Sequence, residues 1–168
     1  LLYGCGQPET TALDQQLYVW QRQWTPAHQT ALRDSRADFS TLRVLALQSF
    51  PQVGWSRARV DANLLRQDGR PLIAVVRLDG QLQSVDRHEV MAQVEQLIID
   101  WQGQGLTLAG VEIDHDAGVA RLPEYRLLLT ELRKGLPASM SLSITALPAW
   151  LSSAELPALL AAVDSSVL

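Results

Sequence analysis

The chain has 168 residues, with 14 Lys and Arg against 18 Asp and Glu, a net charge of −4 and a hydrophobic fraction of 47%. That composition excludes a disordered chain, and a single cysteine excludes a disulfide scaffold. The acidic balance gives nucleic acid no electrostatic footprint, no apolar run reaches the ~18 residues of a membrane span, and the length suits one domain with a real core. Leu17–Trp24 is aromatic and β-branched and reads as a first strand; Thr25-Pro26 then caps a polar helix to about Arg36. Leu42–Phe50 is a second strand, Ala58–Arg66 a short helix, and Asp68-Gly69 a turn. Pro71–Leu78 is nearly continuous apolar sequence, as expected of a strand covered on both faces.

Asp86–Gln102 carries Val90, Val94, Leu97, Ile98 and Trp101 at helical spacing, with Ser84 or Asp86 as cap and Gly103 and Gly105 as stop. Thr107–Asp114 is a fourth strand, Pro123–Lys134 a helix with Tyr125, Leu128, Leu129 and Leu132 inward, and Ser141–Leu147 a fifth strand. Ser152 or Ser153 opens a last helix through Leu156, Leu159, Leu160 and Val163, and Val167-Leu168 begins a sixth strand. Strand and helix in regular alternation imply a parallel sheet. The expected fold is a β/α barrel of the TIM type, cut short after about five and a half of its eight units; an open doubly wound sheet is the alternative. Residues 17–168 form its single domain.

At the start, Leu2 lies three positions before Cys5 and small Gly4 directly before it, which resembles a bacterial lipobox. The resemblance implies lipidation of Cys5 and a place in the cell envelope, lipid-anchored or periplasmic, with residues 1–16 as lipobox and polar tether. Contact with a membrane would come only through that anchor, and one acyl chain holds a membrane marginally.

In either architecture a ligand sits at the carboxyl ends of the strands. The first strand brings Trp20, Gln21, Arg22 and Trp24 there, the second Gln48 and Phe50, the third Arg77 and Asp79, the fifth Thr145 with Trp150 just beyond. The fourth strand is the sharpest feature. Alternation puts Val111 and Ile113 on one face and Glu112, Asp114 and Asp116 on the other. Carboxyls this close cannot all ionise freely, so at least one should hold its proton nearer neutral pH, as a general acid must. Two other readings stay open: an oxygen-ligand site for a hard cation, and a structural row paired with Arg22 and Arg77. Trp20, Trp24 and Trp150 suit either packing or stacking on a sugar ring, whereas Trp101 reads as core.

His115 points away from the carboxylates, and His28 and His88 fall on helices, so all three read as structural. Ser143 and Thr145 lack an adjacent base and read as polar contacts of a strand. Zinc-ligand spacing, a nucleophile elbow and phosphate- or dinucleotide-binding glycine loops are absent, so no cofactor is expected.

Two resemblances attach to these residues. YVWQRQWTP (18–26), GVEIDHDA (110–117) and LSITALPAWL (142–151) together resemble a bacterial family, domain of unknown function 3142, which implies a secreted or lipid-anchored β/α barrel. More distantly, Gly110–Asp116 is similar to the fourth-strand signature of chitinase-type, family-18 glycoside hydrolases: Gly, apolar, Asp, apolar, Asp, aromatic, Glu. The similarity implies Asp116 as general acid, Asp114 as the carboxylate that orients a substrate acetamido group, and Glu112 as the supporting acid. Here the acid is Asp and not Glu, and His115 replaces an aromatic. The expected function is a glycoside-hydrolase-like barrel acting on or binding a glycan, the alternatives being a non-catalytic carbohydrate-binding barrel and a metal-dependent hydrolase.

Overall fold

A computed structural model describes residues 14–168. The described strands are β1 (Gln16–Val19), β2 (Thr41–Phe50), β3 (Gly54–Arg57), β4 (Leu72–Leu78), β5 (Leu108–His115), β6 (Ser141–Thr145) and β7 (Ser165–Val167). The helices are α1 (Pro26–Asp34), α2 (Ala62–Asp68), α3 (Arg87–Gly103), α4 (Leu122–Gly135) and α5 (Leu156–Leu160). All strands join one sheet in the order β1-β2-β4-β5-β6-β7, and these six run parallel. Chain order and spatial order coincide, whereas a doubly wound sheet must reverse its order at a switch point. The open-sheet alternative is therefore excluded, and the sheet is a curled half-barrel of TIM type.

Local sequence explains the helix ends. Asp61 caps α2 by accepting from Leu64 N at 2.9 Å, and Gly69 closes it in the left-handed region at φ 72°. This cap starts the helix at Ala62, four residues after the expected start at Ala58, and the helix runs to Asp68 where Arg66 was expected. Asp86 accepts from the backbone N–H groups of His88 and Glu89 and starts α3. Val44, Val76, Val111 and Ile113 face the helices, where they pack with Val90, Val94, Leu97, Leu128 and Leu129. The opposite face of the sheet carries Leu45, Ile73 and Val75 beside the polar residues of the barrel interior.

Two departures from the sequence reading shape the site. First, β3 is an antiparallel strand pairing Leu47–Phe50 of β2 with Gly54–Arg57. It occupies the edge of β2 where the rest of a longer β1 would lie. The expected first strand therefore ends at Val19, and its continuation touches the sheet only at a bridge between Gln23 and Arg59. Second, β2 shifts register between Leu45 and Leu47. The extra residue, Ala46, puts Leu47 on the helix side with Val44 and turns Gln48 inward beside Arg77.

Candidate functional site

The interior fills in layers read off the strand register. Tyr18 lies beside Arg43; Leu45, Val75, Glu112 and Ser143 form the next row; Gln48, Arg77 and Asp114 lie above them, towards the carboxyl ends. Glu112 is fully buried, at 0% exposure. Its Oε2 accepts from the Tyr18 hydroxyl at 3.0 Å, from the Ser143 hydroxyl at 3.4 Å and from the Arg43 guanidinium, which also donates to Ser143 at 2.9 Å. Among the described residues its Oε1 has no partner. Burial pushes the Glu112 carboxyl above its usual value, against the pull of Arg43 and Tyr18. The Tyr18 hydroxyl is likewise pushed up, first by burial and then by the neighbouring Glu112.

One layer up, Asp114 is held on both oxygens: Arg77 donates to Oδ2 at 2.6 Å and Thr145 to Oδ1 at 2.7 Å. The other arm of Arg77 reaches Asp116 at 3.2 Å. Asp116 lies just past the end of β5, with its side chain 42% exposed. The row thus runs from two buried carboxyls, Glu112 and Asp114, to one at the mouth that faces solvent. Its outermost member abuts the loop after β4: a Cβ on Gly80 would come within 2.7 Å of Asp116 O and 2.9 Å of Asp116 Cβ. At the mouth, Trp20 is 41% exposed and stacks on Tyr18 at 5.7 Å, the rings nearly parallel. Arg22 leaves the carboxylates alone and lies over the Phe50 ring at 5.3 Å.

Glu112, Asp114, Asp116, Arg77, Gln48, Thr145 and Trp20 are therefore brought to the interior and its mouth. Trp24, Asp79 and Trp150 are not. Trp24 stacks on His28 and packs against the core on the helix side. Asp79 holds its own loop, accepting from Gln81 N at 2.8 Å. Trp150 has 0% exposure, donates from Nε1 to Ala117 O at 2.8 Å and packs edge-on against Tyr125, so no face of its ring is open to a ligand. His115 is buried on the helix side, bonded to Leu78 O at 3.0 Å. Arg43 and Tyr18 are the members that sequence reasoning missed, whereas Ser143, read as a polar contact of its strand, makes that contact with Glu112 and Arg43. An arginine set among the apolar residues Leu42, Val44, Leu45, Ala46 and Leu47 was the available signal. Among the described residues no group of three His, Cys, Asp or Glu side chains is placed to hold a metal ion, and no helix is long and apolar enough to cross a membrane. Cys5 falls outside the described residues.

Residues 68–168, more than half of the chain, match the model of the family described as domain of unknown function DUF3142. The chain belongs to this family. The match takes in the GVEIDHDA and LSITALPAWL segments but not YVWQRQWTP, so it covers less of the chain than the resemblance read from sequence. No curated protein matches the sequence.

Solved structures show the fold of this DUF3142 chain. The Bacillus cereus spore cortex-lytic enzyme SleL superposes with a TM-score of 0.62 at 13% identity, over 91% of this chain and 40% of its own. A chitinase from Chromobacterium violaceum gives 0.59 at 15% identity, over 92% and 55%. The carboxyl transferase domain of Rhizobium etli pyruvate carboxylase, in its complex with 3-bromopyruvate, gives 0.59 at 12% identity, over 90% and 26%. The DUF3142 chain thus spans roughly half or less of each of these structures. Such different enzymes share the barrel, so the fold leaves the choice of chemistry to the site.

Proposed function

We propose that this DUF3142 chain supplies the carboxylate-bearing side of a glycoside-hydrolase-like barrel that acts on a glycan. In this reading Asp116 is the general acid that protonates the glycosidic oxygen. Asp114, fixed by Arg77 and Thr145, stabilises the developing cation or a substrate acetamido group. Glu112 anchors the row from below, and Trp20 offers its ring to a sugar face.

The carrying observation is the row itself: carboxyls at alternate positions 112, 114 and 116, along β5 and just past its end, the first two buried and the last open to solvent at the carboxyl end of the sheet. A general acid needs a solvent-reachable carboxyl above a pre-organised polar floor, and this is what the row provides. The likeness to a chitinase and to a spore cortex-lytic enzyme supports the same class. A place in the cell envelope through lipidation of Cys5 rests on the Leu2–Cys5 motif, and incorporation of a labelled fatty acid at Cys5 would test it.

One observation favours a second reading, a carbohydrate-binding barrel without catalysis. Arg77 bridges Asp114 and Asp116, and carboxylates held in ion pairs accept hydrogen bonds from sugar hydroxyls without donating a proton. Hydrolysis of a panel of chromogenic N-acetylglucosaminides and other glycosides, by the full-length protein and its Asp116→Asn variant, decides between the two. Turnover that falls at least a hundredfold in the variant supports the acid role. Binding of glycans with no turnover of any substrate supports the binding barrel.

A further inference from the structure

A cleft of about 570 Å³ opens between the tip of the β2–β3 hairpin and the loop from β4 to α3. One wall carries Phe50, Gln52 and Trp55; the other carries Gln81, Gln83 and Ser84. None of these residues belongs to the carboxylate row. We propose that this cleft is a second saccharide subsite, so that the ligand of the barrel is a glycan chain several sugar units long. The inference rests on the glycan reading above and names the kind of glycan.

The amides and aromatic rings of the lining suit a sugar; of the two carboxylates that also line it, Asp86 is engaged in capping α3 and Glu89 is free, among the described residues, to accept from a sugar hydroxyl. Side-chain amides offer a donor and an acceptor together, which is what a hydroxyl requires, and an aromatic face takes the C–H face of a pyranose ring. The cleft has room for more than one such ring. Its walls are fixed in advance. Asp79 holds the second wall through Gln81 N, and Leu82 N donates back to Asp79 O at 3.1 Å. In the hairpin, Gln52 sits in the left-handed region at φ 64°, uncommon for a residue with a side chain, and Val53 N closes the turn on Pro51 O at 2.8 Å.

The wall of the cleft begins one residue from the carboxylate row. Gly80, the residue that abuts Asp116, directly precedes Gln81 of the cleft wall. On the other side the Arg22 guanidinium covers Phe50 and joins the cleft to the strand end that carries Trp20. In this proposal a chain seated at Asp116 passes over Gly80 into the cleft.

The test compares chitin oligosaccharides of two and six units, titrated by calorimetry against the full-length protein and its Trp55→Ala and Gln83→Ala variants. Gln83 is exposed, so its replacement leaves the fold intact even where that of Trp55 does not. The hexasaccharide is expected to bind the wild type more tightly than the disaccharide. The ratio of the two affinities should fall about tenfold in Trp55→Ala and severalfold in Gln83→Ala. Equal affinities for both lengths, or a ratio unmoved by both substitutions, overturns the subsite and leaves the glycan reading standing. Binding of neither oligosaccharide overturns both.

Discussion

The Tyr18 hydroxyl donates to Glu112 across the sheet at 3.0 Å, although β2 and β4 lie between their strands. Neighbouring strands are about 4.8 Å apart, so a flat sheet would separate β1 from β5 by roughly 14 Å. Only strong curling brings the two side chains into one hydrogen bond. The same holds for Arg43 on β2 and Ser143 on β6. These contacts close the interior over a buried carboxyl, and the site above depends on that floor.

Arg43→Met tests the floor. It leaves Glu112 buried without its cation and should cost about 3–5 kcal/mol of stability at neutral pH. Because burial already raises the Glu112 carboxyl, the variant can relieve the cost by protonating it. A carboxyl with a raised folded value contributes stability that is present below its unfolded value and lost as pH rises through the folded one. The deficit of the variant should therefore shrink as the solution is acidified towards the ordinary Glu value of 4.5. Arg43→Met with Glu112→Leu should recover most of the loss. Urea unfolding of the three proteins at several pH values measures both effects, and a deficit independent of pH would mean that Glu112 is not the group left exposed.

Two tryptophans separate packing from recognition. Trp150 is sealed in the helix layer, and Trp150→Ala should cost about 3–5 kcal/mol while the folded fraction keeps its glycan affinity. Trp20 lies open on Tyr18, so Trp20→Ala should change stability by no more than about 0.5 kcal/mol and weaken glycan binding severalfold. Thermal unfolding and a binding titration on both variants give the comparison. An unstable Trp20→Ala with unchanged binding would make the Tyr18–Trp20 stack structural.

What could be read from the sequence follows from how local each signal is. The strand-helix alternation, the helix caps at Thr25 and Asp86, and the face shared by Glu112, Asp114 and Asp116 are set within a few residues and are present in the structure. The end of β1 was not legible, because it is decided by β3, a four-residue strand that takes its place on β2. Gln48 was chosen as a strand-end residue, but simple alternation from Arg43 would have pointed it at the helices; the extra residue at Ala46 returns it to the interior. Trp24 and Trp150 show the same limit. A tryptophan near a strand end carries no mark of which side of the sheet its ring will take. Arg43, 69 positions from Glu112, is a partner only after the sheet has curled.

His115 gives a pH dependence of the opposite sign to that of Glu112. Burial holds its imidazole below the ordinary value of 6.5, against the pull of its bond to Leu78 O and of the nearby Asp116 and Asp114. A depressed folded value means the unfolded chain takes the proton more readily, so the stability from His115 is full above pH 6.5 and is lost as pH falls through the folded value. The wild type should weaken on going from about pH 7.5 to about pH 5, and His115→Gln should flatten that slope. Chemical denaturation across the range measures it; parallel curves would remove His115 from the account.

The approach of Gly80 to Asp116 gives the sharpest test of the site itself. A methyl group at position 80 would fall 2.7 Å from Asp116 O and 2.9 Å from Asp116 Cβ, both backbone-side atoms that cannot swing aside. Gly80→Ala must therefore displace either the loop or the last carboxyl of the row. Shifting the loop disturbs the Asp79 turn and the wall of the cleft; shifting Asp116 lengthens its 3.2 Å contact with Arg77. Both routes act on the ligand and leave the buried core alone. The expected result is a loss of about 1–3 kcal/mol in stability and a tenfold or larger fall in glycan turnover or affinity. Gly118, two residues after Asp116, has open space where its Cβ would be, and Gly118→Ala should be nearly silent in the same assays. Equal effects from the two alanines would show that the contact at Gly80 does not set the position of Asp116.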